Sequence, residues 1–254
     1  MAPPSTVPRH VHVEHVLGTT VTIDLRTPAP HAEAVEATVR WLHEVDATFS
    51  TYRPDSAICR IDRGELRADR APDDVQWVLA RCETLRRETG GFFDARAGGA
   101  LDPSALVKGW AVQCAADLLC VAGVTDLCLT AGGDVVTAGH AAPGRPWRIG
   151  IQHPEDPRAV AAIVEARDLA VATSGTYERG EHITDPHTGR PPRGVASVTV
   201  TGPDLGTADA LATAAFAMGE AGPAWTLGLR GYAAMTILTD GRVLTTPRFP
   251  AVEG

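Results

Sequence analysis

The spacing of apolar residues along the chain predicts five helices. The first, Pro30–Phe49, has apolar residues three or four positions apart, on one face of a helix: Ala32, Val35, Val39, Leu42 and Val45. A second stripe predicts a helix over Pro72–Thr89. Pro103–Ala122 is predicted as a third helix because a proline opens it and a glycine follows it. Ala208–Met218 and Pro223–Leu229 are predicted as a fourth helix and a short fifth one.

Alternating apolar and polar residues predict strands between these helices. His10–Leu25 alternates around a break at Gly18, which indicates two strands or one bent strand. Asp240-Gly241 is a strong hairpin signal between the last two predicted strands. Further short strands are predicted at Leu127–Thr137, Trp147–His153, Val160–Glu165, Leu169–Thr173, Val195–Thr201, Tyr232–Leu238 and Val243–Thr246.

The order of elements predicts an α+β, or mixed α/β, fold with antiparallel or mixed sheets packed against helices. We expect a flexible N-terminal tail over residues 1–9 and a single domain over residues 10–254, since no repeat or low-complexity linker interrupts the chain. The chain has 254 residues, which is long enough to bury a sizeable core without disulfides.

Composition and charge narrow the class of protein. The formal net charge of −8 argues against non-specific nucleic-acid binding, which requires a basic surface. The five cysteines have no CxxC spacing and are interpreted as reduced thiols. The N-terminus lacks a signal-peptide pattern, and no run approaches the length of a transmembrane segment. We therefore expect a cytoplasmic protein without membrane insertion.

Four segments carry more polar and glycine residues than packing requires: Gly90–Asp94, Leu101–Trp110, Thr130–Asp134 and Ala172–Gly189. In the second, a helix begins shortly before Lys108, and helix N-termini attract phosphate. Taken alone, each segment is equally typical of a turn, a helix cap or a polar surface loop.

Two pairs of residues have side chains suited to catalysis or metal binding. His182 and Asp185 could hold and move a proton. Asp209 and Thr213 are one turn apart on a predicted helix and offer hard oxygen ligands, which suit Mg²⁺. The alternative for the second pair is an acid near a helix N-terminus and a threonine bonded to its own helix.

In this order, the segments resemble the ApbE family of FAD:protein FMN transferases, from about Val13 to Thr245. No single motif is decisive, but so many in the right order are hard to obtain by chance. The resemblance includes Leu17-Gly18-Thr19, Phe49 to Ser56, Gly91 to Asp94, Asp102 to Gly109, Gly132 to Asp134, Thr173 to Gly175, His182 to Pro186 and Asp209 to Thr213.

The resemblance implies a single ApbE-like domain that attaches FMN from FAD to a Ser or Thr hydroxyl of a target flavoprotein and releases AMP. The metal, Mg²⁺ with Mn²⁺ as an alternative, would be held by the carbonyl of Ala105, the carboxylate of Asp209 and the hydroxyl of Thr213. His182 and Asp185 are the catalytic candidates for the base. The residues implied to line the FAD site are Leu17, Tyr52, Phe92, Phe93, Asp94, Asp102, Lys108, Gly132, Gly133, Asp134 and Ile183.

The sequence departs from the family pattern at a few positions. Leu17 replaces a frequent methionine, Ser104-Ala105 replaces a frequent Gly-Gly, and Asp62 replaces a frequent asparagine. Asp94 and Asp102 are closer in sequence than in many relatives, which predicts a compact form with a more open cleft.

Three other functions compete with FMN transfer. The chain could bind FAD without transferring FMN, or act as an FAD pyrophosphatase that gives FMN and AMP. A serine hydrolase built on Ser174, His182 and Asp185 is disfavoured because the serine lacks the GxSxG elbow.

Overall fold

The structure, a computed structural model, describes residues 7–175 and 183–252. In these residues the α-helices are α1 (Ala32–Phe49), α2 (Ala57–Asp62), α3 (Asp73–Glu88), α4 (Ser104–Val121), α5 (Leu205–Ala217) and α6 (Gly222–Thr226). Single 3₁₀ turns cover Ala68–Arg70 and Gly219–Ala221. The strands are β1 (Arg9–Val16), β2 (Thr19–Arg26), β3 (Leu127–Ala131), β4 (Asp134–Ala138), β5 (Trp147–Gln152), β6 (Val160–Ala166), β7 (Leu169–Gly175), β8 (Val195–Gly202), β9 (Ala233–Leu238), β10 (Val243–Thr245) and β11 (Ala251–Val252).

Two antiparallel sheets form the framework. The larger has the strand order β1-β2-β3-β4-β7-β8-β9-β10, and the smaller has the order β11-β6-β5. Tight turns join several neighbours. Leu17 and Gly18, with φ angles of 57° and 67°, connect β1 to β2 as a two-residue hairpin of the primed type. Gly132-Gly133 connects β3 to β4, and Gly241, with φ of 85°, lies in the turn between β9 and β10.

The alternation of side chains along each central strand separates two cores. Leu129 and Val136 pack on the face that carries the helices, whereas Cys128 and Val135 pack on the opposite face against the smaller sheet. The central strands of the larger sheet are therefore covered on both faces, and most of their residues are buried.

Helices α4 and α5 lie side by side on the larger sheet at unusually short range. A Cβ atom added to Gly109 of α4 would lie 2.7 Å from the carbonyl oxygen of Leu205 in α5. Glycine is needed here because the two backbones leave no room for a side chain. This contact fixes how far Lys108 on α4 lies from Asp209 and Thr213 on α5.

By length and composition alone, α4 could cross a membrane: its mean hydropathy is 1.3, and half of it is buried inside the protein. This helix departs from the expectation that no run approaches the length of a transmembrane segment. The core helix of a folded domain meets the same criteria, and α4 packs here on α1, α5 and the larger sheet.

Most of the predicted elements are confirmed within one to three residues at their ends. The segment His10–Leu25 forms two strands, and Leu127–Thr137 is a hairpin rather than one strand because Gly132-Gly133 interrupts it. Arg9, assigned to the tail, is the first residue of β1, and residues 1–6 lie outside the described part.

Candidate functional site

A cavity of about 440 Å³ lies where α4 and α5 meet the end of β7. The segment between α3 and α4 forms one wall, and residues 183, 184 and 186 form another. Leu17 reaches the cavity from the β1–β2 turn, in a left-handed conformation that is uncommon for a leucine. The cavity thus draws on six separate elements of the fold.

Lys108 is the central charged group of the cavity. Its ammonium lies 2.6 Å from Oδ2 of Asp134 and 3.8 Å from Oδ2 of Asp209. Asp134 has no exposed surface, and Asp209 is almost fully buried. Oδ1 of Asp134 accepts a hydrogen bond from the amide of Thr173, which ties the start of β4 to β7. One cation thus lies between two carboxylates that are removed from water.

The residues predicted to hold a metal share this cavity. Asp209 and Thr213 are one turn apart on α5, and both line it together with Ala105 from the first turn of α4. In residues 7–175 and 183–252, no group of three or more His, Cys, Asp or Glu side chains is arranged to hold a metal. A metal at this position would combine a carboxylate with neutral oxygens, a ligand set that suits Mg²⁺ or Mn²⁺.

Ser174 also lines the cavity, although the sequence indicates no individual role for it beyond the disfavoured hydrolase. Its hydroxyl lies 3.2 Å from that of Thr213 and therefore links the end of β7 to α5. The motif Thr173-Ser174-Gly175 was noted in the sequence, but the pairing with Thr213 depends on packing between elements far apart in the chain.

Most of the residues predicted to contact FAD line the same cavity: Leu17, Phe92, Phe93, Asp94, Asp102, Lys108 and Ile183. Gly132 and Gly133 instead line a neighbouring cavity of about 680 Å³, between the larger sheet and β5. The two cavities share Lys108 and Thr173, so a ligand that occupied both would pass the ammonium group.

Tyr52 is not brought to either cavity. Its side chain is 94% exposed in the turn after α1, where its backbone amide donates to Oγ of Ser50. The resemblance alone placed Tyr52 against FAD, and the described geometry offers no contact between Tyr52 and the other site residues.

The short connection between Asp94 and Asp102 is braced from outside. Oδ1 of Asp62 accepts hydrogen bonds from the amide of Leu101 and from the guanidinium of Arg96, each at 2.9 Å. These two donors lower the pKa of Asp62, with the amide contributing most. Asp62, which replaces the family's frequent asparagine, therefore holds this wall of the cavity in place through two hydrogen bonds.

Of the two predicted bases, Asp185 lies within the described part of the chain, whereas His182 lies outside it. Both carboxylate oxygens of Asp185 accept hydrogen bonds within its own turn, from the amide of His187 and from the hydroxyl of Thr188. The turn also places the His187 ring edge-on to Phe92, with ring centres 4.6 Å apart. In the described residues, Asp185 holds this turn and does not line the cavity.

The fold and the site together define a protein with a cavity that combines an ammonium group, a buried carboxylate, neutral oxygens and an aromatic wall. Such a cavity suits a phosphate-bearing ligand with a metal ion.

Comparisons with known proteins agree with this class. The sequence model of the ApbE family matches residues 17–100 and 95–236. The chain is 37% identical over 166 residues to an FAD:protein FMN transferase of Vibrio cholerae, a match that covers 61% of this chain and 48% of the relative. A relative of the same description from Treponema pallidum is 34% identical over 200 residues, covering 68% of this chain and 55% of the relative. The chain thus spans about half the length of these curated relatives.

Solved structures give the same result for the fold. The flavin transferase ApbE from Vibrio cholerae superimposes with a TM-score of 0.86 at 28% identity, covering 96% of this chain and 99% of that chain. The apo form of the flavinyl transferase ApbE from Pseudomonas stutzeri has a TM-score of 0.82 at 26% identity and covers 94% of this chain and 95% of that one. The chain therefore belongs to the ApbE family.

Proposed function

We propose that this protein is a Mg²⁺-dependent FAD:protein FMN transferase. The observation that carries the proposal is that Lys108, Asp209 and Thr213 converge on one cavity with the aromatic wall of Phe92 and Phe93. The matched relatives are FAD:protein FMN transferases, which suggests the reaction. The cavity contains the charged and polar groups that this reaction requires. Mg²⁺ held by Ala105, Asp209 and Thr213 would supply positive charge to the pyrophosphate as AMP leaves.

In the proposed reaction, a Ser or Thr hydroxyl of the acceptor attacks the phosphorus on the FMN side of FAD. The new bond joins the acceptor oxygen to that phosphorus, and the bond to the bridging oxygen breaks, so that AMP leaves with that oxygen. The hydroxyl proton passes to a base on the protein. Lys108 would orient the phosphate groups, because phosphoryl transfer depends mainly on positioning and charge neutralisation.

The base is His182 or Asp185. We favour His182, because both carboxylate oxygens of Asp185 are engaged by hydrogen bonds within its own turn and Asp185 does not line the cavity. His182→Ala should then abolish transfer, whereas Asp185→Asn, which keeps an acceptor oxygen for the turn, should retain part of it. If His182→Ala and Asp185→Ala both transfer FMN at the wild-type rate, neither residue is the base.

The decisive experiment supplies FAD and Mg²⁺ with and without an acceptor domain that receives FMN from the Vibrio cholerae relative, with that relative as a positive control. AMP, free FMN and the intact mass of the acceptor are followed together. A mass gain of one FMN with an equal amount of AMP supports the transferase. AMP with free FMN and an unchanged acceptor mass would indicate a pyrophosphatase instead, and bound FAD without AMP would indicate a binding protein.

The cellular setting belongs to the same proposal. We propose a cytoplasmic protein whose partners are FAD and a target flavoprotein, without nucleic acid and without insertion into a membrane. Fractionation of cells followed by immunoblotting would test the location, and recovery of this chain in the membrane or periplasmic fraction would contradict it.

A further inference from the structure

Lys108 lies close to the predicted metal position, and its assignment to FAD binding does not account for this proximity. Its ammonium pairs at 2.6 Å with Asp134 and lies 3.8 Å from Asp209, the single carboxylate among the proposed metal ligands. A positive charge so close to a metal ligand opposes the binding of a second cation, and the opposition is strong because both carboxylates are buried.

We infer that Lys108 makes tight Mg²⁺ binding conditional on the phosphates of the nucleotide, and is therefore a positioning residue for the metal. In the protein without nucleotide, the ammonium neutralises part of the charge that Mg²⁺ would otherwise meet. When a pyrophosphate enters, its negative charge compensates the ammonium, and Asp209 becomes available to the metal. The inference deepens the proposed function, on which it rests for the identity of the nucleotide.

The location of Lys108 supports this coupling. It lies on the border between the two cavities and lines both, so a nucleotide that reaches from one to the other must approach the ammonium. The close contact of Gly109 with Leu205 restricts the movement of α4 relative to α5. The backbone is thereby held, and the flexible lysine side chain is the part that can change partners.

The Mg²⁺ affinity of a variant without the Lys108 charge distinguishes an electrostatic role of this residue from a purely structural one. Lys108→Met keeps an unbranched side chain that is one heavy atom shorter and removes its charge. In the absence of FAD, this variant should bind Mg²⁺ several-fold more tightly than the wild type, although it loses an ion pair. If Lys108 only supported the architecture of the site, its removal would weaken Mg²⁺ binding.

The test is titration calorimetry with Mg²⁺ on the full chain, with and without saturating FAD and without acceptor. In the wild type, FAD should raise the affinity for Mg²⁺ by about tenfold, within the usual range of coupling between two sites. The increase should be clearly smaller in Lys108→Met, because its affinity without FAD is already raised. Lys108→Arg, which keeps the charge, should behave like the wild type in this respect.

Three results would overturn the inference: weaker Mg²⁺ binding by Lys108→Met without FAD, equal coupling in the variant and the wild type, or no Mg²⁺ binding by either protein. Circular dichroism and the thermal midpoint of each variant establish that it is folded. If Lys108→Met does not fold, Lys108→Gln takes its place in the same titrations. None of these measurements requires transfer to an acceptor, so failure of the transfer assay and failure of this inference are distinguishable.

Discussion

The hydroxyls of Ser174 and Thr213 lie 3.2 Å apart and join the end of β7 to α5 beside Asp209. Either hydroxyl can be the donor, so the pair can turn a lone pair of Thr213 toward the cavity. Through this contact, Ser174 on the strand can orient the hydroxyl of Thr213 on the helix, which is one of the proposed metal ligands.

We predict that Thr213→Val weakens Mg²⁺ binding by at least tenfold, whereas Ser174→Ala weakens it by much less. Valine has the shape of threonine but removes a ligand oxygen, and Ser174→Ala removes only a partner of that oxygen. Calorimetric titration of Mg²⁺ in the presence of FAD measures both affinities. Equal losses in the two variants would show that the hydroxyl pair acts as one unit and that Thr213 is not a metal ligand by itself.

Gly109→Ala should lower stability and disturb the site. The new Cβ atom would lie 2.7 Å from the carbonyl oxygen of Leu205 and 3.0 Å from the Cα atom of Gly206, so the helices must separate. Forcing atoms into a packed contact typically costs about 1–3 kcal/mol. Urea unfolding measures this loss, and the affinity for Mg²⁺ should fall with it because the proposed ligand Ala105 on α4 moves away from Asp209 and Thr213 on α5.

Gly228→Ala is a matched control for this substitution. A Cβ atom at Gly228 would lie 3.4 Å from the carbonyl oxygen of Trp225, an ordinary contact, and Gly228 lies outside both cavities of the site. A urea midpoint as low in Gly228→Ala as in Gly109→Ala would contradict the role assigned to the contact between α4 and α5.

Asp62 should stabilise the fold above the pH at which its carboxyl group titrates. Its folded-state pKa lies below the ordinary value of 3.8 because the amide of Leu101 and the guanidinium of Arg96 favour the charged form. The contribution is therefore present above that ordinary value and is lost as the pH falls through the folded-state pKa.

Asp62→Asn is the matched variant, since its amide oxygen can still accept from Leu101 but has no charge to offer Arg96. Urea unfolding should show the wild type to be more stable than Asp62→Asn near pH 7, with a difference that disappears in strong acid. A difference that is the same at every pH would show that the charge of Asp62 does not contribute.

The sequence allowed the long helices and the central strands to be predicted because each buries one face in a regular period. Val75, Val78, Cys82 and Leu85 form such a face on α3, and all four are buried. Helix α2 was missed because its six residues are too short to show a period, although Ser56 caps it by accepting a hydrogen bond from the amide of Cys59. In α1, the predicted stripe continues only in part: Leu42 and Val45 are buried, but Ala32 is exposed.

The sequence predicts which segments form the site, but not how their side chains are arranged in space. Asp134, Lys108 and Asp209 are far apart in the chain, and nothing local indicates that one ammonium lies between two carboxylates. The role of Asp185 was also open, because Asp-Pro followed by Thr-Gly is typical both of a turn and of a catalytic loop. The structure shows the turn, in which the Asp185 carboxylate accepts hydrogen bonds from the amide of His187 and the hydroxyl of Thr188.

The cysteines give a prediction that is independent of the proposed reaction. Burial raises the pKa of Cys82, Cys114 and Cys128 to about 12 in each case, and these thiols therefore stay protonated near pH 8. Alkylating reagents react with the thiolate, so native protein should be modified at these three residues only very slowly. The pKa of Cys120 is also raised by burial, but its surface is exposed, and we expect it to be alkylated before the other three.

Treatment with iodoacetamide at pH 8, followed by peptide mass spectrometry, measures each rate separately. Unfolding in urea should make Cys82, Cys114 and Cys128 react at the rate of an ordinary thiol, because the desolvation that raised their pKa is gone. Rapid alkylation of Cys82 or Cys128 in the native protein would mean that α3 or β3 opens easily. Those elements would then be too mobile to hold the cavity wall and Lys108's partner Asp134 in the positions on which the proposed site depends.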